Sequence, residues 1–123
     1  MLALVIDDSK TTRMILRRML KELGFEVEEA ENGQEALAQL ESSPLPNIAL
    51  VDWNMPIMDG YQFVKSVRSK AKFNKLLLMM VTTETELDRL TAAIEAGVDE
   101  YVMKPFTKEV IEEKFEILGL VRD

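Results

Sequence analysis

The sequence predicts an α/β domain in which a five-stranded parallel sheet, in a (βα)5 arrangement, is doubly wound with helices on both faces. Three observations carry this. Short apolar runs alternate five times with longer stretches of helical periodicity. The runs are nearly continuous in apolar residues, as strands buried on both sides must be. The 123 residues fit a single domain spanning 1–123, with no linker and no repeat beyond the alternation itself.

"LALVI" at 2–6 reads as the first buried strand. From Thr11 the period becomes helical, with Ile15, Met19 and Leu23 on one stripe and Leu16 and Leu20 beside it; Ser9 suits the N-cap and Gly24 the terminator. "FEVEEA" at 25–30 mixes apolar and acidic residues, so it predicts a strand nearer an edge. Asn32-Gly33 predicts a turn, and Ala36, Leu37 and Leu40 a short second helix. "SSPLPN" at 42–47 is a loop by composition. "IALV" at 48–51 is the third strand, ending at Asp52. After Asp59-Gly60 a helix turns Phe63, Val64 and Val67 inward. "LLLMMV" at 76–81 is the fourth strand, its Met pair assigned to the core. Leu87, Leu90, Ala93 and Ile94 form the fourth helix, closed by Gly97. "YVM" at 101–103 is the fifth strand, and Val110, Ile111, Phe115 and Leu118 line a last helix before Gly119.

Composition narrows the function. The net charge of −7 argues against nucleic acid and anionic membranes as partners. Two basic clusters, Arg13–Arg17–Arg18–Lys21 and Lys65–Arg68–Lys70–Lys72–Lys75, are expected to be solvated helix faces, with a protein contact as the alternative reading of the first. No apolar stretch approaches the ~20 residues of a membrane span, and no signal peptide opens the chain. The absence of Cys favours a cytoplasmic location. The absence of His removes the commonest general base and transition-metal ligand, leaving carboxylate oxygen chemistry.

In open parallel sheets, ligands bind beyond the carboxyl ends of the strands. The first strand exits at Asp7-Asp8, the third at Asp52, the fourth at Thr82 and the fifth at Lys104-Pro105. Each exit alone has an ordinary reading. Asp8-Ser9 can simply start a helix, Thr82 can cap one, and Lys104-Pro105 can be a plain strand-to-loop exit. Tyr101 can be a half-buried strand aromatic, and Trp53 an exposed anchor or a packing residue. The combination says more. Three carboxylates on one edge repel unless a cation joins them, and Mg²⁺ suits an all-oxygen site, with Mn²⁺ as the substitute. One of Asp7 and Asp8 is expected to ligate directly and the other through water, and a carbonyl beyond Asp52, such as that of Asn54, can add a ligand. Lys104 supplies a second positive charge. Asp52 can then act as a nucleophile and form an acyl phosphate, whose added charge Mg²⁺, Lys104 and the Thr82 hydroxyl would answer.

"VIDDS", "DWNMPIMDG", "VTTE" and "YVMKPF" also stand in the order and spacing of a known family. The chain resembles, over essentially its whole length, the receiver domain of bacterial two-component response regulators, most closely the single-domain chemotaxis regulators. The resemblance implies a flavodoxin-like sheet of strand order 2-1-3-4-5, an order that comes with the family and not from the pattern. It implies that Asp52 is the phosphoacceptor, that Asp7, Asp8, Asp52 and the Asn54 carbonyl hold Mg²⁺, and that Lys104 pairs with the acids ahead of a cis bond to Pro105. Thr82 and Tyr101 match a switch pair that reports phosphorylation to the fourth helix, fifth strand and fifth helix. Asn54 and Glu84 occupy positions that tune hydrolysis, and together imply a short phosphoryl lifetime. Thr83 stands where alanine or glycine is frequent, and its bulk is expected to crowd the phosphoryl group.

The implied role is a phosphorylation-activated regulator, in chemotaxis or another phosphorelay, and a signalling domain instead of a conventional enzyme. Its implied partners are a histidine kinase, a target protein such as the flagellar motor switch, and a phosphatase. It is expected to be monomeric, with phosphorylation-driven dimerisation left open. The first Met and the complete last helix favour a full-length chain. An aspartate-nucleophile phosphatase is the competing enzyme reading, but its D-x-D after the first strand is missing: the chain has "DDS" there. A flavodoxin-type cofactor binder would set two acids against a cofactor phosphate.

Overall fold

A computed structural model describes residues 1–120, so the last three residues of the expected 1–123 domain lie outside the described ones. Five parallel strands, β1 (Leu2–Ile6), β2 (Glu26–Ala30), β3 (Ile48–Asp52), β4 (Leu77–Thr82) and β5 (Glu100–Met103), form one sheet in the order β2-β1-β3-β4-β5. Five helices, α1 (Lys10–Glu22), α2 (Gly33–Ser42), α3 (Gly60–Arg68), α4 (Leu90–Ala96) and α5 (Lys108–Ile117), connect and follow them. This is the expected architecture.

The strand order dictates the layers. The chain runs outward from β1 to β2, then back across to β3, and a right-handed crossover can reverse direction only by changing faces. So α1 lies on one face with α5, and α2, α3 and α4 lie on the other. Alternating strand residues feed the two cores. Ala3, Val5, Leu50 and Val81 meet Leu16, Leu20, Ile111 and Phe115. Leu4, Ile6, Val51 and Met80 meet Ala36, Phe63, Val64 and Ala93.

Most boundaries follow local chemistry. Ser9 caps α1 by accepting from the Thr12 N–H at 3.2 Å, and Gly24, at φ 92°, takes the left-handed step that ends it. Asp59 and Gln62 close a reciprocal capping box at the start of α3.

Four details differ from the sequence expectation. Asn32-Gly33 is the beginning of α2 and not a free turn, because the Asn32 side chain caps the Glu35 N–H at 2.8 Å. On α1 the buried stripe is Leu16 and Leu20, while Ile15 is 45% exposed: the apolar arc is wider than the arc that meets the sheet. Arg13 is buried. Its guanidinium donates to the Asp7 carbonyl at 2.7 Å and pairs with Glu29 at 3.0 Å, and Arg17 also reaches Glu29, so acidic β2 binds these cations that a solvated face would have left free. The fourth helical segment opens with a 3-10 stretch, Glu84–Arg89, before α4 proper.

Candidate functional site

The strand order reverses between β1 and β3, and the crevice that opens there receives the residues just beyond their ends. Asp7 and Asp8 leave β1, and Asp52 is the last residue of β3. Their carboxylate oxygens can lie within 4.8 Å of one another. Asp7 and Asp52 are buried; Asp8 is exposed. The backbone holds Asp7 firmly: its N–H donates to the Ala30 carbonyl, its carbonyl accepts from Arg13, and its Oδ1 accepts the Ser9 N–H at 2.8 Å. Its other oxygen, Oδ2, is buried with no hydrogen-bond partner.

Lys104 reaches in from the end of β5. Its Nζ is 3.4 Å from Asp52 Oδ1 and 3.9 Å from Asp7 Oδ2, its backbone N–H bonds the Thr82 carbonyl at 2.7 Å, and the Lys104–Pro105 bond is cis. One ammonium does not offset two buried acids. Burial, reinforced by the charge of Asp7 and opposed by Lys104, pushes the Asp52 carboxyl up to about 6. Burial also raises Asp7, against the Ser9 N–H and Lys104. An orphaned carboxylate oxygen beside a second, protonation-prone acid is the signature of a place built for a cation, and an oxygen-only donor set fits Mg²⁺.

Thr82, fully buried, ends β4 alongside. Its Oγ1 accepts the indole N–H of Trp53 at 2.8 Å, so Trp53, 3% exposed, is a packing residue that ties the β3 exit to the β4 exit. Tyr101 pairs with Met80 across β4 and β5, one pleat back from Thr82 on the same face. It is half-buried, with the Lys114 ammonium 4.5 Å from its ring centre. Thus Asp7, Asp8, Asp52 and Lys104 are brought together, while the Thr82 hydroxyl is bonded to Trp53.

A 340 Å³ cleft lies between α1 and α5 and is lined by Glu22, Phe25, Lys108 and Glu112. It gathers no comparable set of reactive groups, and the chemistry sits with the acids.

The description "response regulator receiver domain" matches residues 3–116. The chain belongs to that family. Relatives of this receiver domain include the chemotaxis protein CheY1 of Helicobacter pylori, 43% identical over 116 residues and 94% of each chain. The CheY homolog of Campylobacter jejuni is 43% identical over 118 residues, covering 94% of this chain and 91% of its own. Among solved structures, the chemotaxis response regulator CheY4 of Vibrio cholerae superposes with a TM-score of 0.87 at 32% identity, covering 95% and 97% of the two chains. As a receiver domain, the protein is a phosphorylation-activated signalling domain.

The receiver carries two features that sequence reasoning missed. Asn54 is not bonded to Glu84, which is exposed; its side-chain amide donates to Glu86 at 2.6 Å, and Arg89 donates to its side-chain oxygen, Oδ1, at 3.2 Å. Glu86 was detectable only as the N3 partner of a Thr83 capping box. The second feature is a tight turn in the loop after β3. Met58 N–H bonds the Pro56 carbonyl at 2.7 Å around Ile57, whose φ is 71° and whose side chain is 75% exposed. A β-branched residue in this three-residue turn is strained. Ile57→Gly should therefore stabilise the protein by about 1 kcal/mol, relief of strain outweighing glycine's extra unfolded-state entropy. A urea midpoint below the parent's would contradict this.

Proposed function

We propose that the protein is a single-domain chemotaxis regulator that accepts a phosphoryl group on Asp52 from a histidine kinase and binds its target differently once modified. The observation that carries the reading is Asp7 Oδ2, buried beside Asp52 without a hydrogen bond and with only the Lys104 ammonium 3.9 Å away. Chemotaxis is supported by the names of the Helicobacter, Campylobacter and Vibrio relatives.

In this reading an oxygen of ionised Asp52 attacks the phosphorus of the donor. The new P–O bond forms as the donor's P–N bond breaks, and the electron pair stays on the leaving imidazole nitrogen. At neutral pH a carboxyl titrating near 6 is mostly ionised and ready to attack. Asp7, Asp8, Asp52 and the Asn54 carbonyl would hold Mg²⁺, which when bound neutralises the acids and the charge developing on the phosphoryl oxygens. Lys104, 3.4 Å from Asp52 Oδ1, would pair with one phosphoryl oxygen. The Thr82 hydroxyl, released from Trp53, would meet another, and Tyr101 would respond on the neighbouring strand. Thr83, Asn54 and Glu84 would set the rate at which water reverses the step.

The output surface would be the α4–β5–α5 face, where Ile94 and Val110 are exposed beside half-buried Tyr101. The target would be a protein such as the flagellar motor switch, with a phosphatase as a further partner. Among the described residues no helix is long and apolar enough to cross a membrane. The protein would act in the cytoplasm, as its chemotaxis relatives suggest, and as a monomer.

The deciding experiment is intact mass after incubation with acetyl phosphate and Mg²⁺. One added phosphoryl group is expected, lost in Asp52→Asn and with chelator, and decaying on standing. Phosphorylation of Asp52→Asn to the same extent as the parent would move the acceptor elsewhere.

A further inference from the structure

The loops that leave β3 and β4 are joined at the mouth of the Asp52 crevice by one carboxylate. Glu86 Oε1 accepts the Thr83 backbone N–H at 3.1 Å and the Thr83 hydroxyl at 3.0 Å. Its Oε2 accepts the Asn54 amide at 2.6 Å. Glu86 is only 8% exposed, and Arg89, donating to the Asn54 oxygen, holds that amide turned towards it. These donors belong to the two loops that leave the sheet beside the acceptor. Asn54 lies two residues beyond Asp52, and Thr83 follows the end of β4, whose Val81 pairs with Asp52 in the sheet.

We propose that Glu86 is a positioning residue that acts as an internal competitor for a phosphoryl group: it occupies, with its own anionic oxygens, donors that phosphorylated Asp52 would otherwise engage. The inference rests on the reading of Asp52 as the phosphoacceptor. A phosphoryl group arrives with a charge of about −1.5 to −2 and three acceptor oxygens. The Thr83 N–H, the Thr83 hydroxyl and the Asn54 amide are already committed to a buried carboxylate. Phosphorylation must therefore draw Thr83 and Asn54 away from Glu86, and the free energy of those bonds is subtracted from the phosphorylated state. The device sets how far the equilibrium moves on modification, and it acts through Asn54 and Thr83 without touching the reacting atoms.

Two substitutions separate its parts. Glu86→Gln keeps one acceptor for the Thr83 N–H, since glutamine serves a capping box as glutamate does, but it loses the charge and the second acceptor oxygen that holds Asn54. Glu86→Ala frees all three donors. Asp88→Asn, an exposed change in the same 3-10 stretch, removes a like charge without touching the bonds.

The test is the affinity of each protein for beryllofluoride, an anion of phosphoryl shape, in the presence of Mg²⁺, by calorimetry. Affinity should rise in the order parent, Glu86→Gln, Glu86→Ala, by about tenfold over the series, the scale of one hydrogen bond to a charged group. Asp88→Asn should stay within about twofold of the parent. The Thr83 amide proton resonance should move in free Glu86→Ala towards its position in the parent's beryllofluoride complex. If binding is unchanged or weakened in both Glu86 variants while their melts remain cooperative, Glu86 merely orders the loops and the competitor role is overturned, with the Asp52 reading intact. If the parent binds no beryllofluoride, or binds it as Asp52→Asn does, both readings fall together.

Discussion

Asp52→Asn should make the metal-free protein more stable at neutral pH, by about 2 kcal/mol, while abolishing phosphorylation. The carboxyl titrates near 6 when folded, against about 4 in an unfolded chain. The folded state therefore holds this proton more tightly. Stability contributed by the group is complete below about pH 4 and is lost as pH rises through 6. A shift of this size corresponds to about 3 kcal/mol, reduced in the variant because Lys104 loses its nearer partner. Urea unfolding with chelator at pH 4.5, 6 and 7.5 reads it directly: the variant's advantage should be small at the acid end and grow with pH. Saturating Mg²⁺ should then stabilise the parent more than the variant, since the ion relieves a repulsion that the variant no longer has. Equal stabilities at pH 7.5 would mean that the buried acids are not in conflict.

Gly60→Ala should cost about 3 kcal/mol or more and slow phosphorylation at least ~100-fold. A Cβ at position 60 would stand 2.1 Å from the Asp52 carbonyl oxygen and 3.0 Å from its carbon. Those atoms are backbone, so no side chain can swing aside. The Gly60 N–H is also bonded to the Trp53 carbonyl at 2.9 Å, which pins the start of α3 against the end of β3. Either α3 retreats or Asp52 moves. Retreat opens the packing of Phe63 and Val64, a penalty at the upper end of overpacking changes. Displacing Asp52 by about 1 Å costs the reaction on the scale given. Thermal melts and the acetyl phosphate rate measure the two routes separately. A variant that melts like the parent and reacts at its rate would show that the contact is not a constraint.

The fold was legible because parallel strands buried on both sides write themselves as unbroken apolar runs, and each ends in a polar residue where the sheet ends. Asp7, Asp52, Thr82 and Lys104 were found that way, at successive exits. What stayed hidden was contact between residues remote in sequence. Nothing local marks Arg13 as buried; it is so because β2 brings Glu29 across from it. Glu84 and Glu86 look equivalent in "TTETEL", and only the 3-10 geometry of that stretch points the second one inward and leaves the first in solvent. Trp53 had two fair readings, and the partner that decides between them, Thr82, lies on another strand.

The placement of β1 between β2 and β3 has a consequence for the nascent chain. The first strand made is an interior one, and both of its neighbours are still unsynthesised when it appears. Its acids reach the crevice edge as soon as β3 docks, with Asp52 opposite them and the lysine that faces both not yet translated. Repulsion at that end works against the very pairing that builds the sheet. A divalent cation captured by the half-made edge would relieve it early; otherwise relief waits for β5. In this topology the last strand to emerge makes the first and the third compatible, and the pocket is completed in the same event as the fold.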